Sequence, residues 1–221
     1  MFDLTLSFDN GPEPDVTPGV LSVLRERGIR ASFFVIGEKL ARPECLALAR
    51  QAREEGHWIG NHTWTHTIPL GERAEPDIAE MEIGRTQKVI GDLAHPDRLF
   101  RPFGGGGHLD SRLLNARVVT FLQNGRYSSV LWNAIPRDWE DPEGWVERAL
   151  RQCAAQPWTL MVLHDLPTGA MARLPHFLDR IAAAGGRIRQ DFPPDCVPIL
   201  RGQIRAQIES YVAPEISVDA G

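Results

Sequence analysis

Apolar and polar positions change period repeatedly along this chain. Phe2 to Phe8 alternates apolar and polar residues and stops at Asp9-Asn10-Gly11-Pro12, which predicts a strand followed by a turn. From Pro18 to Arg27 apolar residues fall at Val20, Leu21, Val23 and Leu24, with Gly28 as a C-cap, the pattern of a helix. Ala31 to Ile36 is a continuous apolar run ended by Gly37 and predicts a buried strand. Pro43 to Glu54 predicts a helix, and His57 to Gly60 a short buried strand. Pro76 to Asp92 is helical in pattern, and Arg98-Leu99-Phe100 is a short strand. Asp110 is placed to cap a helix running to Gln123, and Tyr127 to Trp132 is a strand. Then come a helix from Pro142 to Cys153, a strand from Thr159 to Leu163, and a helix from Met171 to Ala184. Arg187-Ile188-Arg189 is a weak last strand, and Ile199 to Val212 is expected to be one more helix.

The alternation of strand and helix repeats about seven times, which predicts an α/β fold with a parallel sheet and right-handed crossovers. Both an open sheet and a closed barrel fit it. The 221 residues are enough for one core, so residues 1–221 are expected to form a single domain, with 191–221 its least defined part. Asp9, His62, Arg101, Asn133 and His164 each fall at or just past the C-terminal end of a different predicted strand. In a barrel those ends share one mouth, where active sites lie. A composite site is therefore expected there.

The residues at those positions carry chemistry. In Gly60-Asn61-His62-Thr63-Trp64-Thr65-His66 two imidazoles stand four residues apart; on a helical turn both project from one face, a spacing that suits two nitrogen ligands on one metal. The alternative is a pair of polar loop residues. Asp9 is a candidate general base and Asn10 a neutral oxygen ligand, although Asp-Asn-Gly also makes a good turn by itself. Arg101 is expected to lie against Asp9 and fix its orientation, with a backbone N–H of Phe103 or Gly104 facing a developing oxyanion. The glycines 104–107 lack the Lys-Ser/Thr that completes a phosphate-binding loop. His164 is a candidate general acid, with Asp165 structural. Trp132, Asp138 and Trp139 read as a pocket wall with a supporting carboxylate. His57, His95, His108 and His176 read as structural.

Composition narrows the function classes. A net charge of −5 argues against a nucleic-acid or anionic-membrane surface. No apolar run is long enough to span a bilayer. Cys45, Cys153 and Cys196 are far apart and odd in number, which predicts buried reduced thiols. The first residues lack a basic and apolar leader, so a cytoplasmic location is expected.

Five short motifs, in order, carry a resemblance: Ser7-Phe8-Asp9-Asn10-Gly11-Pro12, His62-x3-His66, Arg101-Pro102-Phe103-Gly104, Asp138-Trp139 and Leu163-His164-Asp165. Over roughly residues 2 to 190 the chain resembles the polysaccharide deacetylases of carbohydrate esterase family 4, the NodB-homology domain. The resemblance implies a distorted seven-stranded (β/α) barrel and metal-dependent hydrolysis of an N-acetyl amide on an amino sugar. It implies Asp9 as base, His62 and His66 as ligands to Zn2+ or a similar ion, Asn10 at the third ligand position, Arg101 orienting Asp9, and His164 as the acid. It places Phe103, Gly104, Trp139 and Asp138 at a carbohydrate or small-molecule substrate. Three positions depart from the family pattern. Asn10 stands where an Asp is usual, which predicts weaker metal binding. Ile135 stands where the partner of the acid is expected, which leaves His164 without one. The loop after Arg101 is one residue shorter before its glycine. These departures keep two alternatives open: a metal-free hydrolase of a non-sugar amide, and an inactive barrel that binds a glycan or protein partner.

Overall fold

The structure, a computed structural model, describes residues 2–214. Nine strands form one sheet: β1 (Phe2–Asp9), β2 (Ser32–Val35), β3 (Trp58–Asn61), β4 (Leu99–Phe100), β5 (Ser128–Ser129), β6 (Trp158–His164), β7 (Gly186–Arg189), β8 (Ile199–Leu200) and β9 (Gln203–Ile204). Their order is β6-β1-β2-β3-β4-β5-β8-β9, with β7 paired to β1. Every pairing among the first seven strands is parallel, whereas β8 and β9 join antiparallel beyond β5. Past β5 the chain runs on to a parallel bridge between Ala134 and Met161 of β6, so the sheet curls back toward its first strand. The fold class is the expected one; among the described residues the strands number nine rather than seven, because the terminal hairpin adds two.

The helices are α1 (Thr17–Glu26), α2 (Gly37–Leu40), α3 (Pro43–Glu54), α4 (Arg85–Ile90), α5 (Ala116–Asn124), α6 (Trp145–Ala154) and α7 (Leu174–Ala183). The period-two pattern of β1 decides which side they cover. Leu4, Leu6 and Phe8 are fully buried in one cluster with Val20, Leu21 and Leu24 of α1, Trp145 of α6 and Phe177 of α7. Thr5, Ser7 and Asp9 face the opposite way, into the curl of the sheet, where Arg101 binds both Ser7 and Asp9. No helix among the described residues is long and apolar enough to cross a membrane.

Four local expectations are corrected. The segment 199–212 is not a helix but the β8–β9 hairpin and a 3-10 turn at Glu209–Tyr211. Arg201 and Gly202 both hold positive φ, 50° and 80°, and two such residues make the two-residue turn that suits strand twist. The helix expected from Asp110 begins at Ala116, because Asn115 accepts the N–H of Val118 at 2.9 Å while Asp110 is taken by Arg112. Only Ser128–Ser129 of the run 127–132 pairs as a strand. The His62–His66 segment is a loop, with Thr63 and His66 at φ 67° and 53°, so no helical face aligns the two rings.

Trp145 anchors the outer core: it is fully buried, lies 5.1 Å from the Phe177 ring, and donates Nε1–H to the Ala170 carbonyl at 3.1 Å. Trp145→Ala is expected to lower the unfolding free energy by about 3–5 kcal/mol, read as a lower denaturant midpoint at unchanged slope. A loss under about 1 kcal/mol would show that this cluster is not the core.

Candidate active site

The ends of four strands supply the polar residues. Asp9 and His164 end β1 and β6 and are register partners. Asn61 and Phe100 end β3 and β4 and pair with each other, which sets His62 beside Arg101. Along a flat sheet β1 and β4 would stand roughly 14 Å apart, three strand spacings. The curl closes that gap: Arg101 Nη1 donates to Asp9 Oδ1 at 2.7 Å and to Ser7 Oγ at 2.7 Å. Its Nε and Nη2 donate to the carbonyls of Val130 and Leu131, both at 3.1 Å. Both side chains of the ion pair are buried.

His62 turns Nδ1 to the Arg101 carbonyl oxygen at 2.8 Å. A carbonyl only accepts, so Nδ1 carries the proton and Nε2 keeps its lone pair. That Nε2 stands 3.5 Å from Asp9 Oδ2, two acceptors facing each other. The His66 ring is 4.6 Å from His62 and 4.1 Å from Phe103. Burial drives His62 down to about 3 and His66 down to about 2, the latter helped by its neighbour His62. Both are therefore neutral near pH 7, the state in which imidazole donates to a metal. Asn10 sits at φ 73° with its backbone carbonyl held by Lys39 at 2.6 Å. Its side-chain Oδ1 is buried without a hydrogen-bond partner, an unmet need that a cation would satisfy. Among the described residues no three His, Cys, Asp or Glu side chains converge as a metal cluster. The available third donor beside the two imidazoles is the Asn10 amide oxygen, and this set of two nitrogens and one oxygen fits a borderline divalent ion.

Across the pocket His164 has opposite surroundings. Asp138 accepts Nδ1–H at 2.8 Å and the backbone N–H of His164 at 2.9 Å. Burial works against protonation, but the bond to Asp138 and the charges of Asp138, Asp9 and Asp165 prevail, and His164 is raised above the ordinary histidine value. The expectation that Ile135 deprives His164 of a partner is thus corrected: the carboxylate comes from Asp138, three residues later. Ile135 is instead a wall of the pocket, with Phe103, Gly104 and Trp139. Trp139 meets the His164 ring edge-on at 4.7 Å.

The pocket, about 220 Å³ and open on one side, is lined by Asp9, Asn10, His62, His66 and His164 together. Asn133 does not join them. Its side chain accepts the N–H of Leu160 at 2.7 Å and donates to the Trp158 carbonyl at 3.0 Å, so it joins the chain after β5 to β6. His57 accepts the Ala31 N–H at 3.0 Å and is structural, as expected. Cys45, Cys153 and Cys196 are buried free thiols, also as expected. Sequence reasoning missed Val162 and Leu166 as pocket walls; the alternation within β6 was the available signal for Val162. The sequence gives no sign of how deeply Asp165, read above as structural, is buried. Asp165 is a fully buried carboxylate that accepts the Thr17 hydroxyl, and burial pushes it up to about 7. Gly11 packs flat on it, and a Cβ there would meet the carboxylate at 2.2 Å.

With this geometry in place, comparison with known proteins is decisive. The polysaccharide deacetylase family model matches residues 3–119. A chitooligosaccharide deacetylase of Rhizobium leguminosarum bv. phaseoli is 33% identical over 166 residues, 73% of this chain and 67% of that protein. The chain belongs to the polysaccharide deacetylase family. A peptidoglycan-N-acetylglucosamine deacetylase of Bacillus cereus is likewise 33% identical over 169 residues, 73% of this chain and 72% of that one. A solved family 4 carbohydrate esterase from Streptomyces lividans, in complex with acetate, aligns over 97% of this chain and 98% of its own, at 25% identity and a TM-score of 0.72. The chain is a hydrolase of the deacetylase type, acting on carbon–nitrogen bonds.

In this deacetylase-family protein Asp138→Asn is expected to drop the His164 titration midpoint below the ordinary histidine value, because burial is then opposed by weaker partners. Following the His164 ring proton by NMR across pH checks it. An unmoved midpoint would mean that Asp138 does not set the charge of His164.

Proposed function

We propose that this chain hydrolyses the N-acetyl amide of an amino sugar, releasing acetate and the free amine, with a divalent ion held by Asn10, His62 and His66. The observation that carries the reading is a single pocket with two neutral imidazoles at one wall and a histidine biased toward protonation at the other. The partnerless Asn10 oxygen and the lone pair of His62 Nε2 support the donor set. When bound, the ion supplies a Lewis acid that acidifies water and polarises an amide carbonyl.

The residues of the chain do the rest. Asp9, held by Arg101, takes the proton from the attacking water at Oδ2, the oxygen that Arg101 leaves free. The N–H groups of Phe103 and Gly104 receive the carbonyl oxygen as it gains charge. His164, oriented through Nδ1, delivers a proton from Nε2 to the departing nitrogen. A pocket of about 220 Å³ is small beside the ~300–1,000 Å³ of common ligand sites. The reacting amide enters it, while the sugar lies across the mouth against Phe103 and Trp139. The intact Asp138–His164 pair counts against an inactive barrel, since a pure binding site has no use for a histidine oriented by a buried carboxylate and biased toward protonation.

Two measurements test the reading. Asp9→Asn is expected to cut turnover on chitooligosaccharides about 10²–10⁴-fold, with the folded circular-dichroism signature kept at lower thermal stability because Arg101 loses its counter-charge. Unchanged turnover removes Asp9 from the mechanism. Asn10→Asp adds a negative charge at the oxygen donor and is expected to tighten zinc binding about tenfold or more by calorimetry. Equal affinity would exclude residue 10 as a ligand.

A further inference from the structure

The two proposed donors stand on a loop, so something other than helical geometry must aim their rings at one point. Thr63 and His66 hold φ of 67° and 53°, a region that non-glycine residues keep only where neighbours impose it. The neighbours that impose it converge on Glu82. This side chain is buried, at 5% exposure. Its Oε2 accepts the backbone N–H of both Trp64 and Thr65 at 2.9 Å, and its Oε1 accepts the Thr65 hydroxyl at 2.8 Å. All three donors are neutral. A buried carboxylate is expensive to desolvate, and these bonds are what it is exchanged for.

Glu82 lies in a π-turn, Glu80–Gly84, running directly into α4. A π-turn breaks the regular helical ladder and is frequent at functional sites. Here the Glu82 carbonyl accepts the Thr86 hydroxyl at 2.8 Å, and the Ile83 carbonyl accepts Nδ2 of Asn61 at 2.9 Å. Asn61 in turn accepts the Thr63 N–H at 3.0 Å. The same turn thus grips the chain immediately before His62 and again immediately before His66. On the far side the Gly37 and Glu38 N–H groups bind the carbonyls of Thr63 and Trp64 at 2.9 and 3.1 Å. Arg85 lies over the Trp64 ring at 3.6 Å.

We propose that Glu82 is a positioning residue for the His62–His66 donor pair: from the π-turn, its carboxylate clamps the loop so that both imidazoles face one ion. The inference rests on the metal reading given above. Glu82 touches neither substrate nor ion; it acts by fixing the loop before binding, and partners that orient metal ligands govern affinity in this way.

Glu82→Gln keeps the size but removes the charge: its one acceptor oxygen still meets the two N–H groups and its amide N–H donates to the Thr65 hydroxyl oxygen, so three charge-assisted bonds become neutral ones of about half the strength. Cobalt(II) and zinc are titrated into metal-stripped protein by calorimetry, with the cobalt visible spectrum recorded. Affinity for both ions is expected to fall about 10–100-fold, with a changed cobalt spectrum. Hydrogen exchange at the Trp64 and Thr65 amides of the metal-free protein is expected to quicken. Thr65→Val, which removes only the hydroxyl bond, weakens affinity less and replaces Glu82→Gln should that variant not fold. Faster exchange with unchanged affinity overturns the proposal, since the clamp would then be structural alone. Affinity untouched by His66→Ala removes the metal reading and the clamp with it. Affinity lost in His66→Ala but kept in Glu82→Gln removes only the role of Glu82.

Discussion

A guanidinium with no exposed surface organises this molecule. Arg101 reaches across the curl of the sheet to Ser7 and Asp9 on β1, takes two carbonyls of the chain after β5, and lies 3.9 Å over the Phe34 ring. Burial lowers its pKa, and the charge and hydrogen bond of Asp9 work against that shift. Breaking such a pair by removing one partner costs about 3–5 kcal/mol, because a charge is left buried alone. Ser7 and Asp9 can therefore be polar in the lumen only if β4 comes round to meet β1. The same pairing places the Arg101 carbonyl where His62 Nδ1 finds it. One residue thus couples the closure of the sheet, the orientation of Asp9 and the tautomer of His62.

The pocket contains three histidines whose pKa values shift in two directions, and the partner of each ring explains the difference. His62 faces a carbonyl, which pins a tautomer but adds no full charge, so burial wins and the ring stays neutral. His66 packs between His62 and Phe103 and is neutral for the same reason. His164 is buried almost as deeply but faces the Asp138 carboxylate, and the balance reverses. Burial alone would make three equivalent imidazoles. The carboxylates around His164, Asp138 foremost, divide them into two held neutral and one biased toward protonation, and opposed shifts of this kind are what separates acid and base roles in catalytic sites.

The regular part of the molecule was legible in the chain because period-two and helical patterns report which side of an element is buried. Asp9, His62, Arg101 and His164 could be placed at one mouth before any contact was known, since each follows an apolar strand. Asn133 followed one too and went elsewhere: an amide that can both donate and accept can bridge β6 and the chain after β5, and phase alone does not distinguish that from a site. Ile135 and Asp138 show a related limit. Spacing along a loop does not say which residue the loop turns inward, and the segment 133–139 folds so that the later carboxylate meets His164 while Ile135 packs on Gly107. The tail misled for a plain reason: Ile199 to Val212 carries enough apolar residues for a helix, but Arg201-Gly202 at positive φ reverses the chain first.

Much of the irregular backbone that sequence patterns miss lies around the pocket. Asn10, Thr63 and His66 hold left-handed backbone, Gly105 to Gly107 do the same in the loop over the mouth, and Glu80–Gly84 departs from the α-helix. Regular elements satisfy their own backbone groups and can be read from local periodicity. Irregular ones are held by distant side chains, as Lys39 holds the Asn10 carbonyl and Glu82 the Trp64 and Thr65 amides. A site needs that irregularity, because donors aimed at one point from different strands cannot all follow a ladder. The strand ends therefore fix which side chains can meet, and the buried hydrogen bonds behind the loops fix how they meet. Asn10 shows the same division: its left-handed backbone is held by Lys39 from another element, while its buried side-chain oxygen is left without a partner at the pocket.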